Sequence, residues 1–292
     1  SPHLVDIRER IRIGDQMIPE TDFCRAFARV CRCAGDERLG PSYFELLYLT
    51  AMVYYGEKKP DFLILETGLG GRLDATNSFP HPRVSVITRI GLDHMQFLGD
   101  TKAKIAGEKA GIVKKGVPLV FLDAEPEVTQ VLRAAADKAG SPAFAVDPAQ
   151  IHPLHGQLSR EYGEKLHAGK VPDKGIDFSY DSGYYGCKSF FLSTQAWYQC
   201  ENAALAMMAL AQMERLSLVH LSGPQLFCGL AGMHWAGRME EIAPGVYFDG
   251  AHNPDGIHAF LESVGRMTKA EDARRYLLCS VVADKDYQEM IQ

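Results

Sequence analysis

The chain has 292 residues, of which 46% are hydrophobic and 23% are charged, and its formal net charge is −6. This length suits one large globular domain or two of ordinary size. The acidic balance argues against a nucleic-acid partner or an anionic membrane partner, and no run of about 18 apolar residues predicts a membrane span.

The seven cysteines lie scattered along the chain, and none forms a CxxC pair. An odd number of dispersed cysteines fits neither a disulfide framework nor a zinc site. Reduced, buried thiols are the better interpretation, and they are typical of a protein in a reducing compartment. We therefore predict a cytoplasmic location.

The first predicted elements are two helices and two short strands. Apolar residues recur at helical spacing over residues 21–33, and Ser42 with Glu45 forms a capping box before a second helix that runs through residue 55. Residues 62–65 have the composition of a short buried strand, and a second strand is predicted over residues 84–87.

Helices and strands alternate through the next part of the chain. A helix is predicted from Thr101 to residue 112, and it is followed by strand 117–122, helix 126–139 and strand 143–146. This alternation predicts an α/β fold with a mostly parallel sheet that is covered on both faces.

Residues 151–193 break the alternation, and their short alternating segments predict antiparallel strands or an excursion from the main sheet. A long helix is predicted over residues 198–216. A second alternation then follows, with strand 246–248, helix 254–267 and strand 276–282. We therefore expect residues 1–237 to form one domain and residues 238–292 to begin another, with the boundary near Arg238.

The segment LETGLGG places Glu66 at the carboxyl end of the first predicted strand. In a parallel sheet, ligands bind beyond the carboxyl ends of the strands, and glycines let a ligand approach the backbone closely. A tight turn beside a solvated acid explains this segment equally well on its own. It is not a dinucleotide-binding fingerprint, because Leu73 stands where the third glycine should be.

Two more segments place polar groups at the same edge of the predicted sheet. GLDH brings Asp93 and His94 to the end of the second strand, and AGEKAGIV puts Glu108 and Lys109 near a helix end. A hydrogen-bonded loop histidine and a solvated lysine would account for each segment alone. Taken together with Glu66, they would suit a hard cation such as Mg²⁺, which keeps water and phosphate oxygens as its other ligands.

A last polar cluster, FDGAHNPDG, joins a predicted strand to a predicted helix. Polar groups at a helix N-terminus are suited to phosphate or carboxylate ligands. An Asn cap followed by proline accounts for Asn253 and Pro254, but it leaves Asp249 and His252 unexplained.

Eight segments together resemble the folylpolyglutamate synthase family, which includes bifunctional dihydrofolate synthases and belongs to the Mur ligase superfamily. In the order of the family they are SPHLVDIRERI, PSYFE, LETGLGGRLDATN, ITRIGLDHMQFLGDTKAKIAGEKAGIVKKGVP, NAALA, HWAGRMEEI, DGAHNPDG and DKDY. The resemblance implies a Mur-ligase-type central ATPase domain and the start of a Rossmann-like C-terminal α/β domain.

The resemblance also implies an activity, that of an ATP-dependent amide ligase. Such an enzyme transfers the γ-phosphate of ATP to a carboxylate of folate or dihydropteroate, and the amino group of L-glutamate then attacks the acyl phosphate. ATP and Mg²⁺ at two sites are the implied cofactors, and bound cations would neutralise the charge that shifts during transfer. The implied partners are these small molecules, without nucleic acid or membrane, and the expected state is a monomer.

The resemblance further assigns roles to individual residues. The implied magnesium ligands are Glu66, His94, Ser1 and a carbamylated Lys109. The implied nucleotide contacts are Ser1, Asn202, Arg238 and Asp249. The loop on the pterin side matches at Arg72, Asp74 and Asn77, and His252 faces nucleotide and glutamate. The implied catalytic set is Glu66, His94, Lys109 and His252.

The sequence departs from the family pattern at one place, because no GxxGKGS-type phosphate-binding loop precedes SPHL. We therefore predict that the parent protein is a ligase, whereas this chain alone lacks ligase activity. The alternatives are another Mur-type amino-acid ligase, against which the pterin-side loop argues, and a non-catalytic folate- or nucleotide-binding remnant. The intact set of metal and cleft residues argues against the remnant.

Overall fold

A computed structural model of the chain describes residues 3–36, 39–154, 174–184, 187–267 and 274–280. The chain forms two compact units, Ser1–His81 and Pro82–Gln292. No helix in the described ranges is long and apolar enough to span a membrane. The domain boundary near Arg238 stays a prediction.

The first unit is built on two helices and a small hairpin. After a 3₁₀ helix at Ile7–Arg10, strands β1 (Arg12–Ile13) and β2 (Gln16–Met17) pair in antiparallel fashion, and helices α1 (Glu20–Asp36) and α2 (Tyr43–Lys58) follow. The predicted capping box is confirmed at the start of α2. The core of this unit contains Ile11, Ile18, Leu47, Ala51 and Tyr54.

The strand predicted at residues 62–65 is wrong. This segment forms no strand, and Ile64 is 93% exposed. An aliphatic run becomes a strand only where a neighbouring backbone completes its hydrogen bonds. Within the described part of the first unit, the strands are those of the β1–β2 hairpin, which pair with each other.

The second unit contains the predicted parallel sheet. Strands β3 (Ser85–Ile87), β4 (Leu119–Leu122) and β5 (Ala143–Val146) pair in this order and are all parallel. Helices α3 (Met95–Leu98), α4 (Lys102–Ala110) and α5 (Pro126–Ala139) lie between them in the sequence. The side chain of Thr101 caps α4, as predicted.

Strand β4 shows that the sheet is covered on both faces. Val120 and Leu122 pack into a core with Leu205, whereas Leu119 and Phe121 pack into a second core that contains residues of α4 and α5. Alternate residues of a strand point to opposite faces, so β4 divides its side chains between two cores.

The predicted antiparallel region is also confirmed. Strands β6 (Ile151–Pro153), β7 (Ile176–Asp181) and β8 (Cys187–Leu192) form one antiparallel sheet. Helices α6 (Tyr198–Arg215) and α7 (Gly223–Ala231) follow.

The last described elements are an antiparallel hairpin and a helix. Strands β9 (Glu240–Ala243) and β10 (Val246–Phe248) form the hairpin, and helix α8 (Pro254–Arg266) follows. The strand predicted at residues 276–282 is wrong in its described part, because residues 274–280 form no strand and Leu278 is 98% exposed. Residues 281–292, including the DKDY segment, lie outside the described ranges.

Candidate functional site

The glycine loop of the first unit is organised by its own aspartate. One oxygen of Asp74, Oδ2, accepts the backbone N–H groups of Gly68 at 3.0 Å and Leu69 at 2.9 Å. The other, Oδ1, accepts the backbone N–H of Thr76 at 2.9 Å and its hydroxyl at 2.6 Å. Asp74 therefore acts on the loop itself and caps the 3₁₀ helix Ala75–Ser78.

The remaining predicted residues of this loop divide into two kinds. The Asn77 amide donates to the carbonyl of Arg72 at 3.0 Å and so supports the backbone. The side chains of Glu66 and Arg72 are exposed. A Cβ on Gly68 would lie 2.7 Å from the ring of Phe44, so a side chain at this position would force that ring to move. The loop thus carries two exposed charged groups on a backbone fixed from within.

In the second unit, Asp93 brings together the loop after β3 and the loop before α8. Its Oδ2 accepts the side-chain amide of Asn253 at 2.9 Å and lies 3.8 Å from Nε2 of His252. Its Oδ1 accepts the backbone N–H of His94 at 2.8 Å and lies 4.0 Å from Nε2 of the same residue. One carboxylate therefore lies between two predicted site histidines. We name Asp93, His94, His252 and Asn253 the Asp93 cluster.

Both histidines of the Asp93 cluster are held by the backbone around them. His94 adopts a left-handed conformation with φ 51° at the start of α3, which is uncommon for a residue with a side chain. In His252, Nδ1 lies 2.8 Å from the carbonyl of Gly250. A carbonyl only accepts, so Nδ1 carries the hydrogen and Nε2 is the atom that faces Asp93.

A second contact joins the same two loops beside the Asp93 cluster. Asp255 Oδ2 accepts the backbone N–H of Leu92 at 2.8 Å. A Cβ on Gly91 would lie 2.5 Å from that oxygen, so this approach depends on the glycine. Lys102 Nζ lies 2.7 Å from Glu125 Oε1 and 3.7 Å from Asp255 Oδ1, which ties the start of α8 to α4 and α5.

Asp249 has contacts of a different kind from those of Asp93. Its Oδ2 accepts the hydroxyl of Tyr198 at 2.7 Å and the backbone N–H of Met239 at 2.9 Å, and its Oδ1 accepts the N–H of Ala251 at 2.8 Å. Burial and the hydrogen bond to Asp249 raise the pKa of Tyr198 far above its usual value.

Arg238 lines a cavity of about 210 Å³. The lining also includes Gln199 and the aromatic side chains of Trp235 and Tyr247. The predicted nucleotide residue Asn202 donates its side-chain amide to Gln199 at 3.0 Å, so it is linked to the cavity through that residue.

The other predicted metal residues belong to different parts of the chain. Lys109 is half-buried in the last turn of α4, and α4 packs against the short helix that His94 begins. Ser1 lies outside the described residues, and Glu66 belongs to the first unit. Across the described ranges, no group of three or more His, Cys, Asp or Glu side chains could hold a metal ion. The magnesium set stays a prediction.

Two residues of these clusters, Asp255 and Tyr198, were missed as site residues, whereas Asp93 was named beside His94 but was given no role of its own. Asp255 follows Pro254 in a helix cap, which was a weak signal. Tyr198 had none beyond its place one helical turn before Asn202.

No family model matches the chain, but individual proteins of similar sequence place it in a family. It is 33% identical over 299 residues to the dihydrofolate synthase/folylpolyglutamate synthase of Bacillus subtilis, covering 100% of this chain and 66% of that protein. It is 33% identical over 289 residues to the Escherichia coli protein of the same name, covering 98% of this chain and 60% of the relative.

Solved structures that resemble the chain come from the same family as these relatives. E. coli FolC in complex with DHPP and ADP matches with a TM-score of 0.79 and 30% identity, over 100% of this chain and 63% of that one. The chain belongs to the folylpolyglutamate synthase and dihydrofolate synthase family. An FPGS–AMPPCP–folate complex also matches, with a TM-score of 0.77 and 29% identity, over 91% of this chain and 63% of that one.

Family membership confirms the predicted resemblance and the predicted α/β fold class. The chain spans 66% of the length of the B. subtilis relative and less of the E. coli relative. The Asp93 cluster and the cavity at Arg238 therefore belong to the part of the family fold that this chain contains.

Proposed function

We propose that this chain carries the central part of an ATP-dependent ligase that adds L-glutamate to folate, and to dihydropteroate where the enzyme is bifunctional. The observation that carries the proposal is the Asp93 cluster, which joins two loops of family-type sequence, GLDH and AHNPDG, in one place. The family relation supplies the reaction class, and the relatives' structures with ADP, AMPPCP, folate and DHPP support the ligand classes.

The cavity at Arg238 is the proposed nucleotide site. Aromatic faces such as that of Trp235 suit a base, and a guanidinium suits phosphate oxygens because it offers several N–H donors in one plane. Asn202 supports this site through Gln199. The lining also contains Lys174, Glu240 and Glu241. Because Lys174 Nζ lies 2.6 Å from the Glu241 carboxylate, Arg238 is the proposed cationic contact for the nucleotide.

The proposed chemistry has two steps. The γ-phosphate of ATP passes to the substrate carboxylate, and the amine of glutamate then attacks the acyl carbon while phosphate leaves. We propose that the loops of His94 and His252 face the anionic groups of these intermediates, with His94 acting through the cation that it would help to hold. Asn253, fixed by Asp93, would keep the His252 loop beside the loop of His94.

Magnesium and the folate side complete the proposal. Bound Mg²⁺ would neutralise phosphate charge. Its proposed ligands are Glu66, His94, Ser1 and a carbamylated Lys109. On the folate side, the proposed contact is the exposed Arg72, on a backbone that Asp74 and Asn77 hold. A monomeric state and a cytoplasmic location stay predictions; one curated relative, from Bos taurus, is named as mitochondrial.

Equilibrium binding of ADP tests the nucleotide site directly. Trp235 lines the cavity, so we expect saturable quenching of fluorescence in Trp197→Phe protein, which keeps Trp235 as its reporter. Arg238→Ala should weaken binding about 10- to 100-fold, because a charge-assisted contact contributes about 1.5–3 kcal/mol. A matched control is Arg12→Ala in the first unit. Absence of ADP binding, or equal effects of the two variants, would overturn the proposal.

Phosphate release separates the proposed reaction from its alternatives. We propose that the chain alone, with ATP, Mg²⁺, glutamate and a folate acceptor, turns over far more slowly than a full-length relative. Turnover at the rate of the relative would refute that part. Release that requires an acid other than dihydropteroate or tetrahydrofolate would favour another Mur-type ligase.

A further inference from the structure

We propose that Tyr198 is a positioning residue, which acts through Asp249 to hold the Arg238 turn and the His252 loop in one arrangement. The roles of Arg238 and His252 rest on the proposed function. The role of Tyr198 rests on contacts that are independent of any ligand, and it has a test of its own.

The carboxylate of Asp249 is engaged within the chain on both oxygens. Oδ1 accepts the N–H of Ala251 at 2.8 Å, and Oδ2 accepts the N–H of Met239 at 2.9 Å and the Tyr198 hydroxyl at 2.7 Å. A carboxylate accepts about four hydrogen bonds, so these three occupy most of its capacity. Asp249 thus joins three segments of the chain.

The first segment is the turn that carries Arg238. Met239 adopts a left-handed backbone with φ 47° and is only 3% exposed. Such a backbone is unfavourable for a residue with a Cβ, and its buried N–H needs an acceptor. Asp249 supplies that acceptor, and the N–H of Gly250 donates to the carbonyl of Gly237 at 2.9 Å to close the turn.

The guanidinium of Arg238 lies directly against the Asp249 segment. A Cβ added to Gly250 would lie 2.6 Å from Arg238 Nη1, so the guanidinium rests on a backbone without a side chain. Movement of the Asp249 segment would therefore displace Arg238 at the lining of its cavity.

The second segment is the loop that carries His252. Asp249 holds the N–H of Ala251, and the carbonyl of Gly250 accepts Nδ1 of His252 at 2.8 Å. The same carboxylate therefore orients the backbone on which the imidazole depends.

The third segment that Asp249 joins is helix α6, which contributes the hydroxyl of Tyr198. Among the hydrogen bonds of Asp249 in the described ranges, this hydroxyl is the one donor from outside the Arg238 and His252 segments. Burial and the hydrogen bond to the adjacent carboxylate raise the pKa of Tyr198 above its usual value, so the hydroxyl is the donor in this pair. Asn202 lies one turn further along the same helix. Through Asp249, Tyr198 therefore links both the Arg238 turn and the His252 loop to helix α6, which supports the cavity.

Hydrogen exchange tests this inference without a ligand. In Tyr198→Phe we expect the amides of Met239 and Ala251 to exchange about tenfold faster, because their acceptor loses its third donor. The matched control is Tyr180→Phe, which removes a buried hydroxyl that has no hydrogen-bond partner within the described residues. Unchanged exchange in Tyr198→Phe, or equal acceleration in both variants, would overturn the inference.

Nucleotide affinity then shows whether the effect passes through Asp249. We expect Tyr198→Phe to raise the Kd for ADP about tenfold and Asp249→Asn to raise it at least as much. The double variant should bind ADP no more weakly than Asp249→Asn alone, whereas independent roles would make the effects multiply. If the unmodified chain does not bind ADP, the proposed function fails, and the exchange measurement still decides the inference.

Discussion

The glycine loop around Asp74 and the Asp93 cluster both present exposed polar side chains, yet they are built differently. Asp74 binds backbone groups no more than six residues away along the chain. Asp93 binds the side chain of Asn253, which lies 160 residues away. The first loop carries its own scaffold, whereas the second cluster exists only when a parallel sheet and a distant helix are both formed. A substitution in the Asp74 loop should therefore affect only that loop. A substitution in the Asp93 cluster should affect the stability of the second unit.

The largest expected effect is that of Asp74→Ala. Four hydrogen bonds converge on this carboxylate, and their joint loss should lower protection of the Gly68 and Leu69 amides by about 2–4 kcal/mol in hydrogen exchange. Amides of the second unit should keep their protection. The exposed Asp61 offers a control, since Asp61→Ala removes a carboxylate of the same unit. Global loss of protection in Asp74→Ala would break the comparison.

A smaller effect is expected when the Asp93–Asn253 pair is altered. Asp93→Asn places two amides against each other, and it should lower the free energy of unfolding by about 1.5–3 kcal/mol. Exchanging the partners, as in Asp93→Asn with Asn253→Asp, should restore at least about 1 kcal/mol, because an aspartate at 253 can still accept from Gly256 and from the new amide.

Urea unfolding followed by tryptophan fluorescence measures this exchange of partners. Both tryptophans of the chain, Trp197 and Trp235, lie in the second unit, so the signal reports the unit that contains the pair. Additive losses in the double variant would show that the two side chains do not depend on each other, and the long-range half of the comparison would then be wrong.

The smallest expected effect is that of Tyr180→Phe, which belongs to neither region. Burial raises the pKa of Tyr180 to about 12, and its hydroxyl has no partner in the part of the chain that the structure describes. Removing a buried hydroxyl without a hydrogen bond should change the free energy of unfolding by less than about 1 kcal/mol, or increase it slightly. A loss well above that value would mean that the hydroxyl has a partner.

Local patterns predicted much of this fold from the sequence. The bounds of α5 and β5 agree with the predicted ranges, and the capping box of α2 is present, because each depends on neighbouring residues. The strands predicted at residues 62–65 and 276–282 depended instead on partners elsewhere in the chain. Their composition was that of a strand, but the described residues supply no neighbour.

The same distinction holds for the candidate site. GLDH and FDGAHNPDG could be selected as polar loops, because each follows a predicted strand. Their contact through Asp93 could not be predicted from local patterns, because the hydrogen bond between positions 93 and 253 depends on how the start of α8 meets the loop after β3. Tyr198 was missed for the same reason, since its importance comes from Asp249, 51 residues away.

High-resolution diffraction from crystals grown with ADP and Mg²⁺ tests the central claim most directly. We predict that Asp93 and Asn253 remain hydrogen-bonded and that the nucleotide lies in the cavity at Arg238, with its phosphates toward the Asp93 cluster. A nucleotide bound elsewhere, with the loops of His94 and His252 apart, would contradict the account.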